Sequence, residues 1–228
     1  VNVTARALEI EVDAGTLDAD LALPSEPRGI VLFAHGSGSS RRSPRNLYVA
    51  SRLHRDGFGT LLFDLLTPRE QLLDDRTRAL RFDVPLLAAR LRAATATLAS
   101  ERSLPPWRGY FGASTGAAAA LVAAATEPAV GAVVSRGGRP DLAGDALESV
   151  RAPTLLIVGG DDTVVLDLNE QALRRLECVK ELAVVPGATH LFEEPGALDD
   201  VCDHATAWFD RHCPDGRRAS RNTIRSRR

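Results

Sequence analysis

Gly112-Ala113-Ser114-Thr115-Gly116 is a G-x-S-x-G run, a spacing that suits a serine made into a nucleophile. A serine at a strained strand-to-helix turn needs small neighbours two positions away on each side, because a Cβ there would meet adjacent backbone. The turn lifts the hydroxyl above the sheet edge and aims the following helix's N-terminus at it, where developing negative charge is favoured. The motif alone is weak: at average glycine and serine usage it arises by chance in roughly one chain of this length in ten. Its setting sharpens it. An apolar strand pattern ends at Phe111, and an alanine-rich helical run begins at Thr115.

A hydroxyl is a poor nucleophile until a base takes its proton. His190 lies in the Pro186–Phe192 loop that directly follows the last apolar run. Loops at the carboxyl ends of parallel strands are where α/β sheets place their sites. His204 and His212 fall on a closing helix, where surface or packing roles suit them better. An acid to hold the base follows the Thr154–Val158 run, where Asp161 and Asp162 are adjacent and point in different directions, so one of them serves. Two preorganised N–H groups must receive the oxyanion. The amide of Thr115 is one. The other comes from His35-Gly36-Ser37-Gly38, with Ser37 named first and Gly38 as the alternative. His35 itself reads as a structural histidine beneath that loop.

The elements that must position these groups alternate. Leu8–Val12 and Leu17–Leu23 read as a hairpin turning at Gly15. Gly29–Ala34 and Gly59–Asp64 are continuous apolar runs, as in strands buried on both faces. Trp107–Phe111, Val130–Val134, Thr154–Val158 and Leu182–Val185 complete about eight strands. Helices are expected over Arg45–Arg55 (with Leu47, Ala50, Leu53 and His54 on one side), Asp83–Leu98, Thr115–Thr126, Leu142–Val150, Leu166–Leu176 and Leu198–His212. This alternation implies a mostly parallel twisted sheet with helices on both faces, in one domain over residues 1–213. The stretch from Pro214 to Arg228, with six arginines and few apolar residues, is expected to be an unstructured tail.

Bulk properties narrow the partners. A formal net charge of -2 on 228 residues does not set the whole molecule up to attract nucleic acid or an anionic membrane. No apolar run reaches the length of a bilayer-spanning helix, and Glu9, Glu11 and Asp13 interrupt any basic-then-apolar leader, so the expected location is the cytoplasm. Cys178, Cys202 and Cys213 are odd in number and lack CxxC spacing, which indicates neither a disulfide framework nor a zinc knuckle.

The loop His35-Gly36, the elbow at Ser114, the Gly159…Asp162…Val165 turn and the Ala188-Thr189-His190 loop occur in an order that resembles the dienelactone-hydrolase-like branch of the α/β-hydrolases, from about Gly29 to Phe209. The resemblance implies the α/β-hydrolase fold, the chain order Ser, Asp, His, and Asp162 rather than Asp161 as the acid. It implies no metal or organic cofactor. The connection between Val134 and Thr154 leaves little room for the lid domain that many such hydrolases carry, so an accessible pocket is expected. Dienelactone hydrolases proper use a cysteine nucleophile. Serine at position 114 moves the expectation toward a general carboxylic ester, with a thioester or lactone close by. The stretches His35–Asn46 and Ser135–Leu142 are similar to a bacterial subgroup with some members fused to a phosphoribosyltransferase, of which no segment is expected in these 228 residues. Both stretches carry arginines, among them Arg41 and Arg136, which either hold a carboxylate or phosphate of the substrate or are solvated or paired within the chain. The rival readings are an acyltransferase or thioesterase on the same triad, and a non-catalytic binding protein on the same scaffold.

Overall fold

The computed structural model describes residues 1–214, so the arginine-rich tail beyond Pro214 lies outside the described residues. Strands β1 (Val3–Val12) and β2 (Gly15–Pro24) form an antiparallel hairpin. The chain continues through β3 (Gly29–Ala34), α1 (Pro44–Arg55), β4 (Phe58–Phe63), α2 (Pro68–Thr77), α3 (Val84–Ser100), β5 (Arg108–Ala113) and α4 (Thr115–Ala124). It ends with β6 (Val130–Arg136), β7 (Thr154–Gly159), α5 (Thr163–Arg175), β8 (Lys180–Val185) and α6 (Ala197–His212). One sheet results, in the order β1-β2-β4-β3-β5-β6-β7-β8. The hairpin joins it antiparallel through β2 and β4, and every pairing from β4 to β8 is parallel.

The apolar runs are continuous because β3, β4, β5 and β7 are buried along their whole length, covered on both faces. One face packs Leu32, Leu61 and Tyr110 against α3 and α4. The other packs Phe33, Phe58 and Phe111 against α1 and α6, with Trp107 and Phe209 closing it. All of α4 except Val122 is buried, which is why the helix is built from alanine: small side chains let it lie close to the sheet.

Three local expectations are corrected. Leu47 does not face the core; it is exposed, and Asn46, Val49, Ala50 and Leu53 are buried instead. Those four positions fall at i, i+3, i+4 and i+7, a better helical stripe than one through Leu47. The run Pro140–Ser149 is 3-10 rather than α-helical, broken where Gly144 takes φ 54 and ψ -133. Only this run fills the β6–β7 connection apart from short turns. Finally, α2 was not expected. Its only buried residue is Asp74 and its leucines Leu72 and Leu73 point outward, so no apolar period announces it. Its start was nonetheless written in Thr67-Pro68-Arg69-Glu70: the Thr67 hydroxyl accepts from the Glu70 amide and the Glu70 carboxylate accepts from the Thr67 amide, with proline at the first turn.

Candidate active site

Ser114 sits between β5 and α4 at φ 51 and ψ -121, a conformation costly for a residue with a Cβ. Surrounding backbone over-determines it. The Ser114 amide donates to the Arg136 carbonyl at 3.2 Å, and its carbonyl accepts from the Arg139 amide at 3.2 Å and from the Ala117 amide at 3.0 Å. The flanking glycines leave no alternative. A Cβ on Gly112 would collide with the backbone of Ala117, and one on Gly116 with the carbonyls of Ala34 and His35.

The imidazole of His190, carried by the loop after β8, lies between two oxygens. Nε2 is 3.4 Å from Ser114 Oγ, and Nδ1 is 2.7 Å from Asp162 Oδ2. A carboxylate only accepts, so Nδ1 carries the proton and the Nε2 lone pair faces the hydroxyl. Asp162 is the residue before α5, yet its side chain caps no amide of that helix, being turned to His190. Asp161 is exposed; its amide donates to the Ala188 carbonyl at 3.0 Å. Gly159 lets the two loops meet, since a Cβ there would strike the Ala188 carbonyl. The Asp162 side chain keeps 14% of its exposure and His190 keeps 38%, so water reaches the imidazole.

Thr115 is the first residue of α4, and its amide belongs to the turn whose donors have no partner within the helix. Ser37 is exposed in the turn that closes where the Ser39 amide donates to the Gly36 carbonyl at 3.1 Å. That loop lies against the serine, because a Cβ on Gly36 would stand 3.3 Å from Ser114 Cβ. Burial pushes the His35 imidazole below its ordinary range and keeps it neutral. Its Nε2 accepts the Leu65 amide at 3.2 Å, so its Nδ1 donates to the Gly36 carbonyl at 3.0 Å. His35 thus ties the loop after β3 to the chain after β4.

The two arginines expected to meet substrate are engaged differently. Arg41 pairs with Asp64, with Asp20 at 3.1 Å and with Asp18 at 3.3 Å, so its guanidinium is committed within the chain. Arg136 is buried on the α1 and α6 side, 5.8 Å from the centre of the Phe192 ring, and no carboxylate among the described residues pairs with it. Desolvation pushes it down to about 10, with Arg45 adding to the fall. What the sequence reading missed is that the 135–139 loop clamps the Ser114 backbone. Asn169, fully buried in α5, braces that loop by donating to the Gly138 carbonyl at 2.9 Å. A polar residue at an inward position of an amphipathic helix was the available signal. Among the described residues no group of three or more His, Cys, Asp or Glu is arranged to hold a metal, and no helix is long and apolar enough to cross a membrane.

Residues 17–210 match the dienelactone hydrolase family. The chain belongs to that family. Its fold is that of the α/β-hydrolases: a dienelactone hydrolase from Anabaena variabilis, 54% identical, superposes with a TM-score of 0.89 over 92% of this chain and 99% of the other. The esterase Est1E from Butyrivibrio proteoclasticus, 16% identical, shares the fold with a TM-score of 0.74 over 92% of this chain and 99% of its own. A Mycobacterium tuberculosis protein provisionally named a phosphoribosyl transferase is 60% identical over 211 residues, 90% of this chain. The chain spans 46% of the length of that relative.

Proposed function

We propose that this family member is a serine hydrolase that cleaves a small-molecule carboxylic ester, or a related thioester or lactone, through an acyl-enzyme. The observation that carries the reading is the single imidazole placed between Asp162 Oδ2 at 2.7 Å and Ser114 Oγ at 3.4 Å. Ser114 Oγ attacks the carbonyl carbon while His190 Nε2 takes its proton. The carbonyl oxygen, now negative, is held by the amides of Thr115 and Ser37. Collapse expels the alkoxide, which leaves with the proton from His190. Water then gives its proton to His190 Nε2 and attacks the acyl carbon, and the second collapse returns that proton to Ser114 as the acid departs. Asp162 holds the tautomer and stabilises the imidazolium, without itself taking the proton. The route uses no metal or organic cofactor.

Ser114→Ala should cut turnover of 4-nitrophenyl esters by on the order of 10³–10⁶ and abolish labelling by a fluorophosphonate. Near-full activity in that variant, or a wild-type serine that does not react with the probe, overturns the reading.

A further inference from the structure

Hydrolysis at Ser114 leaves open what the rest of the substrate touches. Beside the loop after β3 lies a cavity of about 700 Å³, within the range of small-ligand sites. Ser39, Ser40, Asp64, Gln71, Asp75 and Arg81 are on its walls. It borders the loop proposed to hold the oxyanion, because Gly38 and Ser39 line it while Gly36 of the same loop lies against Ser114.

The wall chemistry is selective. Apart from Arg42, whose guanidinium has no ion-pair partner among the described residues, its charges are already balanced inside the protein. Asp64 and Asp18 pair with Arg41, and the Arg81 guanidinium is gripped by Asp74, which is 1% exposed, through Nε at 2.6 Å. Asp75 is 3.9 Å from Arg81 Nη2 and accepts from the Gln71 amide at 2.7 Å. Arg81 Nη1 has no hydrogen-bond partner among the described residues and reaches to 3.3 Å from where a Cβ of Gly38 would stand. An alkyl chain here would meet only Pro44, Leu66 and Pro68 while stripping water from these polar and charged groups, which outnumber them. An anion would face Asp18, Asp64 and Asp75, and a cation would face Arg42 and Arg81. A neutral group that both donates and accepts suits serine hydroxyls, an amide, a free guanidinium N–H and carboxylate lone pairs together.

We propose that this cavity is a subsite for the neutral, hydroxyl-rich portion of the substrate, a monosaccharide or polyol unit on one side of the ester. Gln71 and Arg81 Nη1 are its donors and Asp75 is its acceptor. The ester part of the statement rests on the hydrolytic reading; occupancy of the cavity does not.

Binding to Ser114→Ala, which cannot cleave, separates the two. Two sugar esters are titrated by calorimetry: an acetylated methyl xyloside, with its hydroxyls on the alcohol side, and the methyl ester of a methyl glucuronoside, with them on the acyl side. Hexyl acetate is the alkyl control. One sugar ester should bind at least about tenfold tighter than hexyl acetate, and the arm that does so tells which side of the ester the cavity takes. Adding Gln71→Leu or Asp75→Ala, both at exposed positions of α2, should weaken that binding about fivefold or more. Sugar esters that bind no tighter than hexyl acetate, or binding unmoved by both substitutions, overturn the proposal. Failure of the wild-type protein to hydrolyse any ester would overturn the hydrolytic reading and leave this result standing.

Discussion

The loops after β5 to β8, which carry Ser114, Asp162 and His190, and the loops after β3 and β4 beside them are held by different forces. Around the elbow the fixing contacts are backbone to backbone: Ser114 to Arg136 and Arg139, Gly137 to Ile157, Asp161 to Ala188. Glycines permit those approaches. Across the site, charged side chains hold the chain: Arg41 spans Asp18, Asp20 and Asp64, Arg81 grips Asp74, and Arg90 meets Glu70 at 2.6 Å. The first region is therefore rigid and intolerant of added atoms. The second tolerates substitution one side chain at a time, as charged loop contacts do.

The sharpest test of the rigid side compares neighbours in one turn. Asp162→Asn should lower kcat by roughly 10⁴, because the amide no longer fixes the His190 tautomer. Asp161→Asn should leave kcat within about twofold, since its carboxylate is exposed and away from the imidazole. Equal losses would mean that the turn matters as a whole and the carboxylate does not. Gly116→Ala comes next. Its Cβ would collide with the Ala34 and His35 carbonyls, and neither backbone can move without shifting β3. We expect about 3 kcal/mol of lost stability, the upper part of the range for overpacking, and little dependence on salt. Arg41→Ala should cost less, about 1 kcal/mol at low ionic strength, because its carboxylate partners are partly exposed. That loss should shrink as salt is raised. Denaturant midpoints at two ionic strengths check both, and a salt-independent Arg41→Ala would erase the distinction between the regions.

The same contrast explains what could be read from the sequence. Gly112, Gly116 and Gly159 are needed because backbone approaches backbone, and such demands leave fixed spacings that single residues announce. The alternation of buried runs with amphipathic helices marked most of the sheet for the same reason. Ion pairs leave no such mark. The partner of Arg41 could be any acid in the chain, and three were brought to it by folding from β2 and the end of β4. Asp74 is buried only because Arg81 lies seven residues on, past a left-handed residue at Arg78, and no hydrophobic period predicts that. Arg136 shows the limit from the other side: its position near a strand end said nothing of burial, while strand alternation turned its side chain inward toward Phe192.

The smallest expected effect concerns His35, the one neutral staple in the charged region. Burial lowers its proton affinity in the folded chain, whereas the unfolded chain titrates near 6.5. Below that value the unfolded state binds more protons than the folded one, so stability rises with pH and is lost as pH falls from about 6.5 toward the depressed folded value. His54, lowered by burial, and His212, lowered by burial and by Arg211, push in the same direction. Asp74, whose carboxyl is buried but held low by Arg81, adds its own loss only below 3.8, outside that window. Between pH 7 and 5.5 the wild-type urea midpoint should therefore fall, and His35→Gln should fall by less while keeping the share due to His54 and His212. An identical fall in both proteins would mean that His35 accepts its proton without letting go of the Leu65 amide, and the loop after β3 would then be held by something other than a neutral imidazole.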